Sequence, residues 1–414
     1  MSVPAPPGPV PLAERAAGPD LARGLALLGI GLANLVAWLH GEPWTVLLKQ
    51  AEAAPLDRAV DVLLALSVDN RLFPLFALLF GYGLGILHRR SLAAGERPGR
   101  FVLRMLRRHL VLLAIGLLHA TLLFSGDILV AYAMIGMLCV LLLSRHPVLL
   151  ALGGALALLP LGTWGWADGV VGLGGGDGYV LASAATYAAT LLPRAREALF
   201  DLATAPAYDL GLLAPMAIGA LAARHRLLED VPRHRALLRP TAAMGLGIGL
   251  LGALPLTVVL VLDPHHERLD AVIVLGILGT IHQLTGLVAA IGLAAACALL
   301  AERLLPPRPR DGDSGTEPAR PGALVAPARA VTALGTISLT AYVALSLEAL
   351  LLFPPYTLDL GARLGTAPAA LLVVAGWLLL VGLAELLRRR GRRGPLEALL
   401  RRLARPRGAG APVG

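Results

Sequence analysis

An imidazole and a carboxylate eight residues apart, His119 and Asp127 in the stretch AIGLLHATLLFSGDIL, are the pair in this chain best suited to chemistry. A turn at Ser125 and Gly126 would fold the stretch into a two-helix hairpin and bring both groups to one end of it. A carboxylate beside an imidazole fixes its tautomer and raises its basicity, as a general base acting on a hydroxyl or amine requires. The same residues also admit a reading without catalysis, in which Asp127 caps the following helix and His119 bonds a neighbouring carbonyl. Asn34, in GIGLANLVAWLH, carries an amide that could orient a substrate, stabilise a developing oxyanion or bond between helices. His40, His282 and Glu348 lie toward the same end of their apolar segments and form a wider candidate group. Ser338, Tyr342 and Ser346, spaced i, i+4, i+8, share one helix face, which reads first as a packing face.

Charges of the opposite sign gather at the other end of the same helix. Arg104, Arg107 and Arg108 enter the helix that carries His119 and could hold an anionic donor such as a phosphorylated cofactor, although arginines are expected at that position on topological grounds too. Arg108 and His119 are 11 residues apart, about 16 Å along a helix, within reach of a pantetheine-like arm. Asp20 and Arg23, three apart at the entrance of the first apolar segment, can form an ion pair or a helix cap and belong with these arginines as candidate cofactor-binding residues.

The elements that must position these groups are membrane spans. Of 414 residues, 57% are apolar and only 15% charged, which excludes an ordinary soluble domain. Mean hydropathy is +0.73, and apolar runs of about 20 residues recur along the chain. Their Leu/Ala-rich composition favours helices over barrel strands. The expected fold is an all-α integral membrane bundle of about ten transmembrane helices, near residues 24–40, 72–88, 102–124, 127–144, 147–167, 206–224, 240–262, 271–300, 331–353 and 367–387. With that count, 29 of the 36 Lys and Arg residues fall on the side of the termini, which places both termini in the cytoplasm. The expected organisation is a disordered segment at 1–19, a core at 20–301 with an extracytoplasmic loop at 168–205, a flexible cytoplasmic linker at 302–330, two final helices at 331–387 and a basic tail at 388–414.

The net charge of +9 sits between apolar runs and so speaks for topology, not for nucleic acid. Lys49 is the sole lysine among 36 basic residues, as a GC-rich genome would produce. Cys139 and Cys297 lie inside apolar runs as packing residues, offering neither a disulfide framework nor a metal site. The sequence implies a lipid bilayer as partner and assigns no oligomeric state.

Taken in order, these segments resemble the YeiB-like family of bacterial multi-pass membrane proteins. DLARGLALLGIGLAN (Asp20 to Asn34) resembles its opening Asp-x-x-Arg-Gly motif, and LFPLFALLFGYGLGIL (Leu72 to Leu87) its Phe-rich second helix. GLLHATLLFSGDILVAYAMIG (Gly116 to Gly136) resembles its most diagnostic stretch, while LGTISLTAYVALS (Leu334 to Ser346) and GPLEALLRRL (Gly394 to Leu403) resemble its two C-terminal signatures. Ala341 and Leu345 stand where the family often has Asn and Gln, which weakens a polar role for that helix. The family has no assigned activity, but its N-terminal half is similar to transmembrane acyltransferases such as heparan-α-glucosaminide N-acetyltransferase. That similarity implies acyl transfer from cytoplasmic acyl-CoA to an extracytoplasmic sugar or lipid acceptor at a bacterial cell membrane, with either His119 or His40 as the base. The alternative is a transporter or exporter that uses the same intramembrane ionisable groups.

Overall fold

The computed structural model describes residues 16–179, 181–305 and 323–404. Fifteen α-helices run in chain order: α1 (Ala17–Ala33), α2 (Pro55–Ser67), α3 (Leu72–Ala93), α4 (Pro98–Leu122), α5 (Leu129–Arg145), α6 (Pro147–Leu156), α7 (Leu158–Val170), α8 (Tyr187–Tyr208), α9 (Leu213–Arg224), α10 (Val231–Leu262), α11 (Val272–Leu304), α12 (Val325–Thr336), α13 (Ser338–Leu352), α14 (Thr366–Arg389) and α15 (Pro395–Ala404). Among the described residues the only strand-like pairing is an isolated bridge between Trp44 and Gln50. Several helices start at proline, which loses no intrahelical bond at a first turn.

Among the described residues, seven helical segments are long and apolar enough to cross a bilayer, or eight if α12 and α13 together make one bent span. That is fewer than the ten expected from the sequence. The apolar run at 127–144 folds as α5, which at 17 residues is short for a span, and the run at 102–124 folds as α4, whose first half is interrupted by Arg104, Arg107, Arg108 and His109. The span expected at 331–353 is broken: α12 and α13 meet at 90° around Ile337. Half of the expected loop at 168–205 is helix α8, which passes through a short tight turn at Asp209–Leu212 into α9, so the run at 206–224 is the end of a longer helical segment. α1 begins at Ala17, inside the segment expected to be disordered. Residues 1–15, 306–322 and 405–414, which hold most of that segment, most of the expected linker and the end of the basic tail, lie outside the described residues.

Small residues let the backbones approach. α7 crosses α11 at Gly165 and Gly279, where a Cβ on either residue would run into the other's carbonyl oxygen. α10 lies along α11, α3 along α9, and α1 against α12. The outer faces stay apolar: Leu251, Val258 and Leu262 on α10 and Leu371 and Leu379 on α14 are exposed. Such a surface is a liability in water and is the expected solvent face in lipid.

The bundle has two chemically distinct ends. One gathers the start of α4 and the ends of α9 and α14, with Arg104, Arg107, Arg108, Arg224, Arg388 and Arg389. At the other end, aromatic stacking holds together the ends of α1, α4 and α13: Trp38 sits 5.1 Å from Phe124 and 6.5 Å from Phe353 between ring centroids.

Two distant sequence signatures meet at the broken span. The break at Ile337 frees the first N–H groups of α13, and these need acceptors. Glu397 of α15 supplies them, accepting from the Leu339 N–H at 2.8 Å, the Thr340 N–H at 3.1 Å and the Thr340 hydroxyl at 2.6 Å. The Leu396 N–H returns a bond to the Thr340 hydroxyl at 3.1 Å.

Candidate functional site

α4 and α5 form the expected hairpin, and its turn brings His119 Nδ1 to 2.8 Å from Asp127 Oδ1, with the two side chains 2% and 1% exposed. The approach is an ion-pair distance whose angle falls short of a regular hydrogen bond. Asp127 also caps α5, accepting from the Val130 N–H at 2.9 Å. Both readings of the pair are therefore present in one geometry: the carboxylate is a cap and an imidazole partner at once.

Tyr342 of α13 completes this group. Its hydroxyl accepts from the Ile128 N–H at 3.3 Å, beside Asp127, and its ring lies 5.0 Å from the His119 ring. The packing face expected at Ser338, Tyr342 and Ser346 thus carries a polar contact to the hairpin. The second ring nitrogen of His119, Nε2, is buried without a hydrogen-bond partner.

Beside Tyr342 opens a small cleft between α1, α13 and α14. Its polar lining is Asn34, Tyr342, Ser346 and Glu348, and its walls include Trp38 and Phe353. Asn34 stands where α1 tightens into a single narrower turn. The Glu348 carboxylate lies against Gly376 of α14, in space that any larger residue there would take. Of the sequence candidates, Asn34 and Glu348 share this cleft; His119 and Asp127 do not line it and meet it through Tyr342.

His40 and His282 stand apart. The His40 N–H bonds the Gly361 carbonyl at 3.2 Å, in the loop after α1, and burial lowers the affinity of its ring for a proton against the pull of Asp359 and Asp177. His282 on α11 is fully buried, with Nδ1 3.2 Å from the Asn70 amide and Nε2 3.0 Å from the Ala65 carbonyl and 3.3 Å from Arg71. It belongs to a second polar group. Asn70 donates to Asp168 at 2.7 Å, and Lys49 pairs with Asp69 at 2.9 Å. The sequence reading did not assemble this group; its signal was the acidic pair Asp61 and Asp69 inside the apolar stretch VDVLLALSVDNRLF.

At the arginine-rich end, Arg104 is taken up by Glu96, with bonds at 2.6 and 3.2 Å, and Ser91 donates to the same carboxylate at 2.6 Å. The Arg104 contact holds the Glu96 carboxyl below its ordinary value, with Ser91 adding to it. Arg107 and Arg108 are exposed on α4. Arg23 donates to Asp20 at 2.6 Å and to the Leu79 carbonyl at 2.9 Å, tying α1 to α3, and Trp377 donates to the Gly24 carbonyl at 3.0 Å. The Asp20-x-x-Arg-Gly stretch thereby holds helices together. Among the described residues no three His, Cys, Asp or Glu side chains are grouped to hold a metal ion.

Comparison with known proteins gives a family resemblance and no activity. Residues 222–407 match the model of a protein family of unknown function, DUF418. The chain is 32% identical over 142 residues to the uncharacterized protein YxaH of Bacillus subtilis (strain 168), a match that covers 32% of this chain and 34% of that protein. It is 36% identical over 138 residues to the uncharacterized protein YeiB of Escherichia coli (strain K12), covering 32% of each. An uncharacterized 39.9 kDa protein encoded in the amylase 3′ region of Bacillus acidopullulyticus is 34% identical over 130 residues, 31% of this chain and 34% of that protein. Each match spans about a third of the relative's length. Residues 222–407, a little under half of the chain, are similar to the DUF418 family, and over about a third of its length the chain is similar to YeiB and YxaH.

Proposed function

We propose that this YeiB-like protein is a membrane acyltransferase that moves an acyl group from a CoA-type donor at the arginine-rich end to a sugar or lipid acceptor at the opposite end. The observation that carries the reading is the adjacency of a polar cleft to an acid–imidazole pair: Asn34, Ser346 and Glu348 share a cleft with Tyr342, whose hydroxyl accepts from the Ile128 N–H next to Asp127 and whose ring lies against His119. In this reading Glu348, the carboxylate that lines the cleft, takes the proton of the acceptor hydroxyl or amine, and the Asn34 amide steadies the oxyanion. His119 and Asp127 act through Tyr342, which they hold in place at the cleft wall. Arg107 and Arg108 bind the anionic part of the donor. Arg23 and Asp20, assigned to donor binding on sequence grounds, are given a positioning role because they join α1 to α3. The topology that goes with the reading counts α4 and α5 as spans beside the eight apolar ones, making about ten crossings of a bacterial cell membrane with both termini in the cytoplasm.

Purified protein in liposomes, given radiolabelled acetyl-CoA and a mixed bacterial lipid and sugar extract, is expected to label an acceptor. Glu348→Gln should cut turnover at least tenfold with donor binding intact. Turnover unchanged in both Glu348→Gln and His119→Ala would remove the proposed machinery. A second reading, a transporter without covalent chemistry, is favoured by one observation: a charged group buried around His282, Arg71, Asp69 and Lys49, which acyl transfer does not use. Solute flux driven by a pH gradient, with no acyl turnover, would select it.

A further inference from the structure

Lys49 is the chain's sole lysine among 36 basic residues, and its side chain is 2% exposed. Arginine serves every other cationic position, including Arg71, buried in the same group, and the half-buried Arg58. An arginine cannot release its proton in a protein, whereas a buried lysine can. Lys49 contacts Asp69 at 2.9 Å and lines a small cavity whose other polar groups include Gln50, Asp61 and Thr366. Across that cavity Asp61 is fully buried, and neither of its carboxylate oxygens has a hydrogen bond of regular geometry. Its nearest cation, Arg58 Nη1, is 3.8 Å away and that guanidinium is already bonded to the Gln50 and Ala51 carbonyls at 3.0 and 2.7 Å.

The groups that face this site come from four directions: Arg58 and Asp61 from α2, Asp69 and Arg71 from the turn before α3, His282 from α11, and Asp168 from α7. Lys49, Arg58 and Arg71 balance Asp61, Asp69 and Asp168. Passing a proton from one member to another leaves the net charge of the group unchanged, so the transfer escapes most of the cost that a low-dielectric interior sets on a change of charge.

We propose that Lys49 and Asp61 form a proton-exchange site. A proton leaves Lys49 Nζ through one water in the cavity, and a proton bonds to a carboxylate oxygen of Asp61; the ammonium becomes an amine and the carboxylate an acid. Asp69 holds Lys49 in place. The site is separate from the cleft and stands whether the protein transfers acyl groups or moves a solute.

Because the chain has one lysine, protein made with ¹⁵N-lysine gives a single side-chain nitrogen resonance, and infrared spectra of the same sample read protonated carboxyls. The expected result, in full-length protein in detergent between about pH 5 and 9, is a nitrogen signal with amine character together with a carboxylic-acid C=O band that vanishes in Asp61→Asn. Lys49→Arg keeps a cation beside Asp69 and cannot donate, so it should fold and lose the same band. A purely structural lysine would stay an ammonium throughout that range, with no acid band that responds to Asp61→Asn; a band retained in Lys49→Arg would equally overturn the exchange.

Discussion

A single carboxylate with several partners is the most sensitive point at the residue scale. Asp127 caps α5 and faces His119, so its removal leaves a buried imidazole and an N–H short of a partner at once. Asp127→Ala should cost about 2 to 4 kcal/mol of stability, the range for orphaning several buried polar groups, and His119→Ala less, since Nε2 has no partner to lose. Thermal unfolding in detergent checks the order; equal losses would mean that the pair, not the cap, is what matters. At the arginine-rich end, Arg104 holds the Glu96 carboxyl below its ordinary value. A carboxylate lowered in this way contributes its stability above the ordinary value, about pH 4.3, and loses it as pH falls through the lowered one. Arg104→Ala should therefore be slightly less stable than the parent at neutral pH, with the difference closing below about pH 4.

Elements show why the two C-terminal signatures travel together. α13 begins at a 90° break, and Glu397 answers the N–H groups which that break leaves open. Glu397→Ala should destabilise the protein by about 1 to 2 kcal/mol, the cost of a lost cap, while Glu397→Gln keeps one acceptor and should lose less. At the α7–α11 crossing, Gly279→Ala would place a methyl against the Gly165 carbonyl and force the helices apart. The expected readout is a fall in melting temperature larger than that of an alanine at Gly247, which has open space around it.

Across the whole molecule, the sequence made the helical bundle and the hairpin contact legible, because hydropathy reports burial in lipid and the short link at residues 123–128 fixes where His119 and Asp127 meet. It did not make Tyr342 legible: a tyrosine on an apolar face looks like packing until a partner from another helix arrives. The break at Ile337 was hidden for a similar reason, since the acceptor that permits it lies in α15, some 60 residues on. His282 was drawn toward the wrong group because equal depth in a span says nothing about which helix face a residue occupies. The ten-span topology with cytoplasmic termini is testable by reporter fusions after residues 94, 225 and 404, all expected on the cytoplasmic side; a periplasmic signal at any of them would require a different count.

The separation of donor and acceptor ends is the claim on which the functional reading turns. Proteoliposomes sorted by orientation, with labelled acetyl-CoA supplied only to the face that carries Arg107 and Arg108, test it directly. The account expects labelled acceptor on the opposite face and none when Glu348 is Gln; label that stays on the donor face, or no labelled acceptor from the unaltered protein, would contradict it.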